Sequence, residues 1–110
     1  MLNENCRYEQ IGYERLEKVI DVIGGKWKLR ILYVVGFHHV IRYNELKRQL
    51  DPITHNMLSR QLKDLERDGL IIRTEHPQVP PKVEYSLNKK GLDLLPVFDV
   101  LCNWIDVYLD

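Results

Sequence analysis

Leu16, Val19, Ile20 and Ile23 recur at three- and four-residue intervals with Glu and Lys between them, the spacing of one helix face. Gly24-Gly25 interrupts that stripe. It resumes over 26–35 with Trp27, Ile31, Leu32 and Val35 on one side, and Gly36, tolerant of the left-handed conformation, is the predicted stop. Residues 37–41 read as a short connection in which Val40-Ile41 can pair as a small strand. A two-turn helix over 43–50 would turn Leu46 and Leu50 inward, and Asp51-Pro52-Ile53 would bend the chain sharply. Thr54 is a good N-cap for a helix running to Asp68, with Gly69 as its stop.

After Gly69 the period changes from helical to alternating. Residues 70–74 and 82–87 read as two strands, joined by a 75–81 loop that Pro77, Pro80 and Pro81 stiffen. Asn88 can cap a final helix through Leu109, which Pro96 should kink or restart. This order predicts an α+β, mostly α, winged helix-turn-helix filling 1–110 as one domain. The helix-turn-helix would span about 43–68 and the wing hairpin about 70–87, between terminal helices at about 11–35 and 88–109.

Projecting 53–68 at 100° per residue from Ile53 puts Leu58, Leu62 and Leu65 at about 140°, 180° and 120°, a buried stripe. Opposite it, at about 280° to 340°, fall Asn56, Arg60, Lys63 and Arg67, with His55 and Ser59 flanking. Such a face is often only solvated charge. Set after a short helix and turn and before a hairpin, it fits a major groove, where guanidinium can chelate guanine and amide can pair with adenine. Residues near the start of a reading helix sit deepest. His55, Asn56, Ser59 and Arg60 are therefore expected at bases, and Lys63 and Arg67 at phosphates. Arg42 and Thr54 flank the same region. His76, Gln78 and Lys82 of the wing would touch the backbone beside it. Lys89 and Lys90 oppose the dipole of the helix they begin, a broken local rule that hints at phosphate contact.

Charge refines this picture. The 110 residues carry 16 basic and 16 acidic side chains, which excludes a uniformly basic nucleic-acid coat. Residues 42–90 nevertheless hold ten basic and seven acidic side chains, while 91–110 hold four Asp and no Lys or Arg. The middle leans basic and the tail acidic. A 45% hydrophobic content supports a packed core. No apolar run is long enough for a membrane span, and the first residues lack an apolar signal core, so a cytoplasmic protein is expected.

In the last helix Leu94, Phe98, Leu101, Ile105 and Tyr108 form a heptad-like seam, and Trp104 widens it. Together with Leu16, Val19, Ile20 and Ile23 this is more apolar surface than one small core absorbs, so a two-fold homodimer is expected. The plainer alternative is that both helices pack on their own domain.

Catalytic patterns are missing. His38, His39, His55 and His76 have no metal-ligand spacing, and neither a phosphate loop nor a nucleophile elbow occurs, so no enzyme, metal or cofactor is expected. Cys6, beside Arg7, is the one thiol with a setting that favours thiolate and hence redox sensing, against the plain reading of an idle cysteine. Cys102, in the apolar final helix, reads as core or interface packing. A winged helix used as a protein–protein interaction subunit is the rival to DNA binding, since the net charge is near zero.

The chain resembles the HxlR-type branch of MarR-like winged-helix transcriptional regulators. The resemblance rests on Gly24-Gly25-Lys26-Trp27, on Arg42-Tyr43-Asn44-Glu45-Leu46, on the run from Met57 to Leu70, and on Val79-Pro80-Pro81-Lys82-Val83-Glu84-Tyr85-Ser86-Leu87, with Gly91 and Trp104 following. It implies a cytoplasmic dimer that binds double-stranded operator DNA, with a small-molecule or oxidant effector. Family members often carry a sensing cysteine ahead of the first helix, where Cys6 stands. The family usually has proline next, and here Arg7 follows.

Overall fold

The core is built by leucines and isoleucines that each element turns to one side. Ile31, Leu32 and Val35 meet Leu46, Leu58, Leu65 and Leu70, all fully or nearly fully buried. The computed structural model describes residues 11–109. Its elements run α1 (Ile11–Ile23), α2 (Lys28–His38), β1 (Val40–Arg42), α3 (Tyr43–Gln49), α4 (His55–Arg67), β2 (Ile71–His76), β3 (Lys82–Leu87), α5 (Lys89–Leu92) and α6 (Leu95–Tyr108). The strands form one antiparallel sheet in the order β1-β3-β2, with Val40 opposite Ser86 and Ile71 opposite Leu87. This is a winged helix-turn-helix: mostly helix, with a small sheet whose outer hairpin is the wing.

Local signals explain most boundaries. The Thr54 side chain accepts a hydrogen bond from the Met57 amide at 3.1 Å and so starts α4. Gly69, at φ +79°, ends the turn after α4 in the left-handed region open to glycine. Ile53 is buried, and its amide donates to the Leu50 carbonyl at 3.0 Å, which fixes the turn between α3 and α4.

Three expectations need correction. α2 does not stop at Gly36 but continues to His38, and His39 takes the positive φ, 67°. Gly36 stays helical because it is a packing notch: a Cβ there would lie 3.0 Å from Leu95 and 3.1 Å from Leu87. β2 extends through His76, which pairs with Lys82, so the loop is shorter than the prolines suggested. The tail restarts at Pro96 as expected: α5 and α6 are separate helices, with Pro96 in the first turn of the second, where its missing N–H costs nothing. Finally, Phe98 belongs to the monomer's own core, where its ring meets Tyr33 edge-on at 6.3 Å.

α5 anchors the tail closely. Gly91 is buried, and a Cβ on it would lie 2.3 Å from the Leu70 carbonyl oxygen, so α5 rests directly on the chain entering β2. Beyond that joint α6 leaves the domain, and every residue from Asp99 to Leu109 is exposed. α1 is similar, exposed from Tyr13 to Asp21. Among the described residues, no helix is long and apolar enough to cross a membrane.

Candidate nucleic-acid interface

α4 has two faces. Leu58, Leu62 and Leu65 are buried, while His55, Asn56, Arg60, Lys63 and Arg67 are exposed and Ser59 is half-buried. The helix is held in place by its leucines and by Lys28 of α2, whose ammonium lies 3.9 Å from Asp64. Arg60 and Lys63 have no ion-pair partner among the described residues, whereas Arg67 is held by Asp64 at 3.1 Å and Asp68 at 3.7 Å. The α4 ridge therefore carries two free cations and one internally engaged cation.

Between α3, α4 and the wing lies an open groove of about 960 Å³. Arg42, Arg48, Lys63, Arg73 and Lys82 line it, against Glu45 and Glu66. Arg48 pairs with Glu45, three residues before it on α3. Arg73 pairs with Glu75 at 3.3 Å. The hydrogen bond that Arg73 donates to the Tyr85 hydroxyl is the main influence raising its guanidinium above the ordinary value, while burial pushes the Tyr85 phenol up. Lys82 lies 3.7 Å from Glu84, whose other oxygen takes a 2.7 Å hydrogen bond from His76 Nε2. That bond chiefly holds the Glu84 carboxyl below its ordinary value. At the wing tip Val79 stands 99% exposed, while its neighbours Gln78, Pro80 and Pro81 line the groove.

Of the residues singled out in the sequence, the groove gathers Arg42, His55, Ser59, Lys63, Gln78 and Lys82. Asn56, Arg60 and Arg67 lie outside its lining on the exposed side of α4, and Thr54 is occupied as the cap. His76 sits in β2 with Glu84 as partner. Lys89 and Lys90 prove to be compensated after all. Lys89 bonds Asp93 at 2.8 Å, which raises its ammonium above the ordinary value. Lys90 donates to the Asp68 carbonyl at 2.7 Å, beside the negative end of α4's dipole. The hint drawn from them loses its basis.

Tyr43, Arg48 and Arg73 are among the groove residues that the sequence did not single out as binding groups. Tyr43 begins α3, and its hydroxyl lies 2.5 Å from His55 Nδ1 and 3.5 Å from Ser59 Oγ, tying α3 to the exposed edge of α4. A residue at the start of one helix and another twelve positions on carry no shared periodicity that would betray the pair.

On the terminal helices, Leu16, Val19, Ile20, Leu101, Trp104, Ile105 and Tyr108 are exposed, while Ile23 and Leu94 pack partly against the core. Trp104 and Tyr108 lie side by side with ring centres 5.5 Å apart. Cys102 is a free, exposed thiol on α6 rather than a core residue, and Cys6 lies outside the described residues. No cluster of three or more metal-ligating side chains occurs among the described residues.

A family model described as HxlR-like helix-turn-helix matches residues 22–110. An uncharacterized HTH-type transcriptional regulator of Bacillus subtilis (strain 168), YdzF, is 50% identical over 103 residues, covering 94% of this chain and 92% of its own. The solved structure of the redox regulator HypR in its oxidized form superposes with a TM-score of 0.78 at 42% identity, over 87% of this chain and 98% of that one. The reduced form of the transcriptional regulator YodB from B. subtilis gives 0.76 at 29% identity, over 87% and 94%.

Proposed function

Since the chain belongs to the HxlR-like helix-turn-helix family, we propose that it is a homodimeric, sequence-specific regulator working on double-stranded operator DNA in the cytoplasm. The family's named relatives are regulators of transcription, not enzymes. α4 enters the major groove, with His55, Asn56, Ser59 and Arg60 at base edges and Lys63 at phosphate. The wing, through Gln78 and Lys82, follows the backbone or the minor groove beside it. The observation that carries this reading is the cation-lined groove opening between α4 and the hairpin, next to an α4 ridge with two unpaired cations. α1 and α6 supply the two-fold contact, since both present apolar rows that their own domain leaves uncovered. Half-sites would then lie about 34–36 Å apart.

Selection of bound sequences from random duplexes tests this. A pseudo-palindrome with that spacing is expected, and Arg60→Ala should weaken its binding by about 1–3 kcal/mol. Recovery of unselected DNA, alongside a co-purifying protein partner, would favour the protein-interaction subunit instead.

Thiol control is a second reading, favoured by the likeness to a relative named as a redox regulator. In it Cys6 is the responsive group, and a Cys6→Ser variant should keep DNA binding under an oxidant that releases the unaltered protein. A small-molecule effector remains the competing form of control, and would appear as a ligand-induced rise in melting temperature without oxidant.

A further inference from the structure

The closest polar contact on the base-facing edge of α4 is the one between Tyr43 and His55. The turn at 51–53 brings the first residue of α3 against the first residue of α4, hydroxyl to Nδ1 at 2.5 Å, with the two rings edge-on at 5.5 Å and 73°. A neutral imidazole has one N–H and one bare nitrogen, and the hydrogen bond made at one nitrogen decides which is which. Phenol, with an ordinary pKa of about 10, gives up its proton far more readily than a neutral imidazole N–H does. A hydroxyl that donates to Nδ1 leaves the imidazole proton on Nε2. Nε2 has no partner among the described residues, and His55 lines the open groove.

We infer that Tyr43 is a positioning residue for sequence recognition: by occupying Nδ1 it makes His55 a fixed one-way donor. His55 Nε2–H then selects a base edge that carries an acceptor, such as guanine N7 or O6, adenine N7 or thymine O4. It discriminates against the N4 amine of cytosine, which is itself a donor. Ser59 fits the same arrangement, because a Tyr43 proton committed to His55 leaves the Ser59 hydroxyl to donate to the Tyr43 oxygen at 3.5 Å. The inference rests on α4 being the base-reading helix.

The test uses the full chain and reads two separate signals. Long-range nitrogen–proton correlation of the His55 ring in free protein, assigned against His55→Ala, should give Nε2 as the protonated nitrogen and Nδ1 as the bare one. Tyr43→Phe keeps the ring and removes the hydroxyl, and should erase that preference. In selections from random duplexes, Tyr43→Phe should lower discrimination at one base position per half-site by about three- to tenfold, the net worth of one hydrogen bond, and leave the other positions unchanged. An Nδ1-protonated ring in the unaltered protein overturns the inference, as does a Tyr43→Phe variant that weakens all positions evenly or none. If Tyr43→Phe does not fold, His55→Ala decides, because retention of every base preference without the imidazole removes His55 from recognition. Failure of the unaltered chain to select any sequence would defeat the DNA reading itself, and the ring signal, recorded without DNA, keeps that failure distinct.

Discussion

Lys63 offers the sharpest quantitative check on the DNA reading. Its ammonium is exposed, lines the groove beside α4 and has no ion-pair partner among the described residues, so nothing inside the protein competes with a phosphate for it. A dimer carries two copies, and Lys63→Ala removes two such contacts. Each neutralised phosphate contributes about −0.9 to the slope of log affinity against log salt, so the slope should become shallower by about 1.8. Between about 50 and 200 mM salt, the unaltered protein should then lose about twelvefold more affinity than the variant. The measurement is fluorescence anisotropy on an operator duplex and on a scrambled one across a salt series, and both duplexes should report the same change. Arg67→Ala is the built-in control. Its guanidinium is already engaged by Asp64 and Asp68, so its slope should change by much less. Parallel salt lines for Lys63→Ala, or a loss confined to the specific duplex, would refute the phosphate assignment.

Trp104→Glu places a charge in the exposed apolar row of α6, so sedimentation should report monomers while the helical circular dichroism of the domain is kept. Gly91→Ala drives a methyl into the Leu70 carbonyl, 2.3 Å from where the Cβ would stand, and should cost about 1–3 kcal/mol in urea unfolding. An unchanged midpoint would mean that α5 shifts freely. Glu84, held low chiefly by the His76 hydrogen bond, contributes stability that is fully present above the ordinary carboxylate value of 4.5 and is lost as pH falls through the lower folded value. Glu84→Gln should therefore flatten the acid limb of a melting-temperature series relative to the unaltered protein.

Elements whose cause is local were legible in the sequence. Thr54, Gly69 and the turn at 51–53 act within a few residues, and the leucine stripe of α4 needs only a helical period to be seen. Elements whose cause is tertiary were not. Gly36 looks like a terminator until Leu95 and Leu87 are found pressed against it. Phe98 keeps the heptad spacing of an interface residue yet turns into the core, because a period tells that a face is covered and not by what. Lys90 finds the Asp68 carbonyl, 22 positions back, only because of where α5 sits, whereas the Lys89–Asp93 pair has i,i+4 spacing and was there to be read. The same holds at the groove. The exposed ridge of α4 could be drawn on a helical wheel, but Tyr43, Arg48 and Arg73 enter only when α3 and the hairpin fold against it.

The direct seat of α5 on the Leu70 carbonyl has a bearing on how such a chain can diverge. α5 is seated main chain against main chain and the inner turns of α6 are held by Leu95 and Phe98, so neither anchor involves the side chains that α6 displays further out. In the proposed dimer, replacements along the outer row would alter how strongly two copies hold each other while leaving those inner anchors untouched. On that reading, pairing preference and the seating of the arm rest on different residues.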